Sequence, residues 1–237
     1  MLGADHVEIN EALGRPTDDQ TLCEVLLREI HSSKSGTLSR LHRRRAVLFA
    51  EGQLPNGLLV LRSGRVKISI SSSEGRILIL RLGQAPELLG VNAVVRNVPY
   101  DVTVETIEPC HTDFISRADF IESVAKSSEA RACLCAILSK EVTKAVELAR
   151  ALHLPRSSSA RLARLLLTWC AEMGVQGFEG VRLNPGLTHE EMAQMIGTSR
   201  ETVTRLFAEL KRKQIVGPME SSIIIRNRRA LESLACL

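Results

Sequence analysis

The sequence predicts an α+β chain in three parts: a block of short strands, a long helix, and a C-terminal helical block closed by a hairpin. Three observations carry this expectation. Between Ala46 and Phe114, short apolar runs alternate with glycine turns. From about Ala118 to Leu154 the chain holds neither Gly nor Pro, and its apolar residues follow helical spacing. Beyond Leu154-Pro155 the helical pattern resumes, with two short amphipathic segments joined by a tight turn at Gly197. The expected boundaries are an N-terminal segment at 1–35, the strand block at 36–117, the long helix at 118–154 and the C-terminal domain at 155–237.

Residues 1–20 are polar and predict little order, whereas Thr21–His31 reads as a short helix with Leu22, Val25, Leu26 and Ile30 on one face. Arg43-Arg44-Arg45 is a charge run suited to a solvated surface. In the strand block, Val66, Ile68 and Ile70 alternate with Lys67, Ser69 and Ser71, the mark of a half-buried strand after the turn at Ser63-Gly64. Ile77–Leu82 follows the Glu74-Gly75 turn and is nearly all apolar, which suits a strand buried on both sides. Val102 and Val104 alternate with Thr103 and Glu105. Strands this short and this closely spaced predict a small sandwich or roll.

The long helix carries two stripes. Ala132, Cys135, Ser139, Val142, Val146, Ala149 and His153 keep strict 3-4 spacing, a coiled-coil seam of small and β-branched residues. Leu134, Leu138, Ala145, Leu148 and Leu152 form a second stripe beside it. One face is expected to pack on the strand block and the other to meet a second copy in a homodimer.

Leu154-Pro155, Arg156 and three serines break this helix and read as a hinge. The next helix places Leu162, Leu165, Leu166, Trp169 and Met173 on one face and stops at Gly174. Val181-Arg182-Leu183 leads to a turn at Asn184-Pro185-Gly186. Then come the two short helices. Thr188 with Glu191 forms one capping-box pair and Thr198 with Glu201 a second, while Leu187 and Met192 are placed for a hydrophobic staple. Val203, Leu206, Phe207 and Leu210 share one face of the second helix. Arg200, Glu201, Thr204, Arg205 and Arg212 are left at its start and on its outer face. This is the pattern of a helix-turn-helix whose second helix enters the major groove of double-stranded DNA. Gly217-Pro218 and Ser222–Arg226 predict a hairpin wing, and Leu231 and Leu234 a last short helix.

Charge agrees with this division. Residues 155–237 hold 12 Lys and Arg against 8 Asp and Glu, whereas the first 154 hold 19 of each, so the whole excess of +4 lies with the helix-turn-helix. Aromatic content of 3% argues against a base-stacking single-strand binder. The acidic start lacks the apolar stretch of a signal peptide, and no run approaches a membrane span. A cytoplasmic location is therefore expected, with the six Cys reduced. No nucleophile–base constellation or zinc-spaced Cys/His set occurs, so catalysis is not expected.

A β-roll, a long dimerisation helix, a hinge and a C-terminal winged helix-turn-helix, in this order, resemble the Crp/Fnr family of bacterial transcription regulators. The likeness is sharpest at IGTSRETVTRL, and the glycines at 52, 64, 75 and 90 also match turns of the family's cyclic-nucleotide-binding-like roll. The resemblance implies base reading by Arg200, Glu201 and Arg205, since arginine pairs with guanine and glutamate accepts from cytosine. It implies phosphate contacts from Ser199, Thr202 and the residues around Thr188. His189 stands where a close relative has arginine, which makes one such contact weaker or pH-dependent. The implied half-site resembles TGTGA, in an inverted repeat one helical turn apart.

Effector patterns of the family are departed from. The cyclic-AMP type keeps Gly-Glu for ribose, Arg-Ser for the cyclic phosphate and Thr-Ser for adenine. Gly90-Val91, Tyr100-Asp101 and Ala145-Val146 stand at the matching positions, and an acid where phosphate needs a cation is repulsive. The iron–sulfur type needs closely spaced N-terminal cysteines, and only Cys23 lies there, with Cys110 further on. Haem would have to draw on His31, Cys110 or His111, lone groups more often structural. No cofactor is therefore assigned, and the expectation is either an unrecognised small-molecule effector or no ligand, with control by protein level. Cys135 on the seam is a candidate redox switch, with its symmetry mate near, although a buried Cys there often serves packing alone; Cys133 lies one residue off the seam. The resulting expectation is a homodimeric DNA-binding regulator, with RNA polymerase a further partner where it activates. The rival is a sensor that acts through protein partners, its winged helix serving as an interaction module.

Overall fold

A computed structural model describes residues 38–154, 157–217 and 222–236. The helix expected at Thr21–His31, with Cys23 and His31, lies outside them, as do Pro155, Arg156 and part of the expected wing. Two compact units form. One comprises residues up to Ser72 with Arg81–Lys144, the other Ser73–Leu80 with Ala145–Leu237.

The strand block is a roll of two four-stranded sheets, as the alternation predicts. One sheet has the order β1 (Leu38–His42), β8 (Cys110–Ser116), β3 (Gly57–Ser63), β6 (Glu87–Leu89). The other has the order β2 (Val47–Phe49), β7 (Thr103–Thr106), β4 (Arg65–Ser71), β5 (Ile77–Gln84). β8 runs antiparallel to β1 and β3, and β7 antiparallel to β2 and β4. Val66 and Ile68 point into the core with Phe49, Leu61, Leu89 and Val104. Each such large apolar side chain contributes roughly 1.5–3 kcal/mol when fully buried. The expectation for Ile77–Leu82 is corrected. β5 is the edge strand of its sheet, Ile77 is 49% exposed, and within 77–82 only Ile79 is fully buried. An apolar run cannot distinguish an edge strand from a central one.

The helical stretch after the roll is also corrected. It is two helices, α2 (Arg117–Lys126) and α3 (Ser128–His153), following a short α1 (Val91–Arg96). Between them Ser127 takes an extended conformation, and its hydroxyl accepts the Ala130 amide at 3.1 Å. A serine that caps the next helix competes with continuation of the last one. Ala130 and Cys133 are buried in a cluster with Leu58, Val60, Ile115 and Phe120, and Leu134, Ile137 and Leu138 pack against it. On the other face, Cys135, Ser139, Val142, Val146, Ala149 and His153 are exposed, and Ala132 is half-buried.

The second unit is built on α4 (Ser158–Glu172), capped by the Ser157 hydroxyl and buried through Ala160, Leu162, Ala163, Leu166, Trp169 and Cys170. β9 (Val175–Gly177), β10 (Gly180–Leu183) and β11 (Ile223–Ile225) form an antiparallel sheet with β10 in the middle. The β9–β10 hairpin is not signalled by alternation, because β9 is a short, fully exposed strand. The helix-turn-helix is α5 (His189–Ile196) and α6 (Arg200–Arg212). A last helix, α7 (Arg228–Ala235), buries Leu231 and is tied to α4 by the Arg164 guanidinium, which donates to the Ala235 carbonyl at 3.0 Å. Among the described residues no helix is long and apolar enough to cross a membrane.

Asp113 of β8 accepts hydrogen bonds from Ser39 of β1 and from Arg62 of β3, the latter at 2.6 Å. Burial alone would raise its pKa, but these two partners outweigh burial and hold the carboxyl below the usual range. Stability from this group is therefore complete above the unfolded value of about 4 and is lost as pH falls through the lower folded value. We expect Asp113→Asn to lower the urea midpoint at neutral pH and to flatten its fall in acid. An acid limb identical to wild type would remove this role.

Candidate nucleic-acid interface

The geometry of the interface starts with the caps. Thr188 and Glu191 form the expected capping box: the Thr188 hydroxyl accepts the Glu191 amide at 3.2 Å, and the Glu191 carboxylate accepts the Thr188 amide at 2.8 Å. α5 then closes at Gly197, whose φ of 61° is the left-handed conformation that favours glycine. The amides of Gly197 and Thr198 both donate to the Ala193 carbonyl. Thr198 is thereby committed to the end of α5, and the expected Thr198–Glu201 box does not form. Ser199 caps α6 instead, accepting the Thr202 amide at 3.3 Å.

Packing fixes which face of α6 is offered. Val203, Leu206, Phe207 and Leu210 are buried, as are Met192, Ala193, Met195 and Ile196 of α5. A clamp that sequence reasoning missed holds the turn from α4. The Arg161 guanidinium donates to the Ile196 carbonyl at 2.7 Å and to the Ser158 hydroxyl at 3.1 Å, and Ser158 in turn donates to Thr198 at 3.4 Å. An arginine in an amphipathic helix gives no sign that it will cap a neighbour.

Arg200, Glu201, Thr204 and Arg205 are left exposed on the outer face of α6. The structure thus brings the three expected base readers together on one helix, starting at its first residue. Glu201 is held below the ordinary carboxylate range by a backbone amide of its own turn and the Ser199 hydroxyl, with Arg200 adding to the effect. It is ionised at neutral pH and can only accept hydrogen bonds. The four expected phosphate-contacting residues occupy two helix starts. Thr188 and His189 open α5, and Ser199 and Thr202 lie at the cap and third position of α6. The partial positive charge of helix N-termini suits both places to phosphate. His189 stacks on Phe207 with centroids 5.1 Å apart, and its Nδ1 lies 3.0 Å from the Thr204 hydroxyl.

The positions matched to a cyclic nucleotide are filled by other chemistry. Val91 is buried. The Tyr100 ring stacks on Phe49 at 4.0 Å and its hydroxyl donates to the Gly57 carbonyl at 2.5 Å. Gly90, at φ 86°, lets this ring approach: a Cβ there would lie 2.7 Å from it. Asp101 accepts from the Asn92 amide at 2.7 Å. Arg81, a cation of the same unit, is bound by Glu87 at 2.6 Å and Glu141 at 3.3 Å. Cys110 is buried, with its single S–H shared between the Arg65 and Glu108 carbonyls, and burial raises its pKa. Cys135 is an exposed free thiol.

Two family models match the chain: a cyclic nucleotide-binding domain over residues 40–127 and a Crp-like helix-turn-helix domain over residues 160–234. The chain is 24% identical to the anaerobic regulatory protein of Bacillus subtilis over 220 residues, 91% of this chain and 89% of that relative. It is 25% identical to the CRP-like cAMP-activated global transcriptional regulator of Mycobacterium tuberculosis over 184 residues, 78% and 82% of the two chains. The solved structure of FixK2 from Bradyrhizobium japonicum shares the fold, with a TM-score of 0.73 at 19% identity over 84% of this chain and 98% of that one. With a cyclic nucleotide-binding fold followed by a DNA-binding helix-turn-helix, the chain belongs to the Crp/Fnr family of transcription regulators.

Proposed function

We propose that this DNA-binding regulator acts as a homodimer on an inverted repeat of TGTGA-like half-sites and is not switched by cyclic AMP. The observation that carries the reading is the outer face of α6, where Arg200, Glu201 and Arg205 stand exposed over a buried apolar face. Arg200 and Arg205 supply bidentate donors for guanine, and Glu201 an acceptor for cytosine. Thr188, His189, Ser199 and Thr202 would set the register on phosphates without reading sequence.

Support for the dimer comes from α3. Val142 and Val146 are 65% and 46% exposed, on the same stripe as Cys135, Ser139, Ala149 and His153. An apolar stripe at coiled-coil spacing is satisfied by a second copy of itself. Two recognition helices would then be held at a spacing set by the paired α3 helices. Against cyclic AMP stand the buried Tyr100 and the Asp101 carboxylate where a cyclic phosphate would need a cation. The exposed Cys135 favours a second reading, in which a thiol on the dimer seam makes binding redox-dependent. RNA polymerase is the expected further partner at promoters the protein activates.

The test is selection of bound duplexes from a random pool by purified protein without ligand, under reducing and then oxidising conditions. Recovery of an inverted TGTGA-like repeat in both supports the reading. Recovery in one condition alone supports the thiol switch, with loss of the difference in Cys135→Ser as its check. Recovery of no shared sequence would reject the assignment of α6. Arg205→Ala is expected to weaken binding by roughly 1–3 kcal/mol and to relax preference at one base pair per half-site. Unchanged preference would remove that role. Val142→Glu, which places a charge on the seam, is expected to yield monomers by sedimentation and to weaken binding to the repeat at least about tenfold. A dimer of unchanged affinity would move the interface elsewhere.

A further inference from the structure

His189 is the first residue of α5, yet its imidazole is held by α6. The ring lies on Phe207 with only 7° between the planes. Its Nδ1 meets Thr204 Oγ1 at 3.0 Å, while the Thr204 hydroxyl donates to the Arg200 carbonyl, one turn back, at 2.9 Å. A hydroxyl has one proton to give. With that proton on Arg200, Thr204 Oγ1 accepts from His189, and the imidazole proton belongs on Nδ1. Nε2 is then the bare nitrogen of a neutral ring, and among the described residues it has no hydrogen-bond partner.

We propose that His189 links DNA binding to proton uptake: a backbone phosphate docked at the start of α5 meets Nε2, and the ring takes a proton from solution there. The product is an imidazolium with both N–H groups in use, Nδ1–H on Thr204 and Nε2–H on a phosphate oxygen. This deepens the reading of α6 as a DNA-entering helix and rests on it. The charged group facing the ring from α6 is Arg200. On its own helix, Glu190 and Glu191 adjoin it, the latter engaged in the capping box. α4 meets α5 at its far end, where Arg161 reaches the Ile196 carbonyl.

Burial first, and Arg200 second, hold the His189 pKa below its ordinary value in the free protein. An arriving phosphate supplies the missing anion and screens Arg200, so the pKa in the complex is higher than in the free protein. Binding therefore gains as pH falls: the gain is absent above the pKa of the complex and complete below that of the free protein. Thr204 makes this one-directional. By holding Nδ1–H it leaves Nε2 to face the change in charge.

The experiment uses the full-length protein and the duplex recovered from the random pool, titrated at constant ionic strength from about pH 8.5 to pH 5.5. Wild type is compared with His189→Asn, in which the amide keeps an N–H near the Nδ1 position and cannot titrate. Wild-type affinity is expected to rise about three- to tenfold per half-site across this range, the effect of up to one pKa unit. His189→Asn is expected to bind with an affinity that stays flat across the range, whatever its level, because the amide cannot titrate. Long-range 1H–15N correlation on wild type provides a check that needs no variant: His189 should carry its proton on Nδ1 when free and on both nitrogens when bound in mild acid. A pH slope retained in His189→Asn, or an Nε2–H tautomer in the free protein, would overturn the proposal. Failure of wild type to bind the duplex at any pH would instead remove the assignment of α6, and the inference with it.

Discussion

At Gly197 the chain leaves α5 in a left-handed conformation that costs an L side chain about 1–2 kcal/mol and glycine very little. Two amides close on the Ala193 carbonyl there, and Ser199 opens the next helix at once. Only Gly197 and Thr198 separate the last residue of one helix from the cap of the next, so no loop can absorb an error in their angle. That angle decides which residues of α6 are buried and which are offered. The Arg161 clamp holds the same turn from α4. A base-reading side chain must be placed within a few tenths of an ångström, and this short turn supplies the rigidity.

The polar groups at the two helix starts serve two demands. The Thr188 and Ser199 hydroxyls satisfy amides of their own helices, donors that the first turn of a helix leaves without an intrahelical partner. Thr202 is half-buried and engaged with Ser199 at 3.1 Å. In the proposed complex, a phosphate at either place would meet the ordered amides around these hydroxyls rather than free hydroxyls. His189 differs, because its local hydrogen bond uses one ring nitrogen and leaves the other.

Much of this architecture was legible in the sequence, and the failures share a physical cause. Periodicity located α4, α5, α6 and the β4 strand, because a half-buried element writes its buried face as a repeat. Thr188–Glu191 was readable as a cap since a single hydroxyl and a single acid stand at the right spacing. Thr198 and Ser199 are adjacent hydroxyls, each with a partner three residues on, and only the closing bonds of α5 decide between them. Ser127 likewise breaks the helical stretch without Gly or Pro, through a side-chain bond that periodicity does not register. The edge position of β5 and the short β9 depend on which strands pair, a non-local matter. At the candidate site, the exposed placement of Arg200, Glu201 and Arg205 on α6 was readable from a local motif. The Thr204–His189 contact and the Arg161 clamp were not, since both depend on the angle between helices.

The Tyr100 side chain is built into the roll at the position that the family resemblance matches to a cyclic-phosphate site. Its ring covers Phe49, its hydroxyl satisfies the Gly57 carbonyl, and Gly90 is shaped to its edge. Replacing it with arginine would strip a carbonyl of its donor and uncover an aromatic face before any phosphate arrived to compensate. Asp101, bound to Asn92, would still face the incoming anion. A single exchange at residue 100 would therefore disturb the packing and the hydrogen bonding of the roll at once.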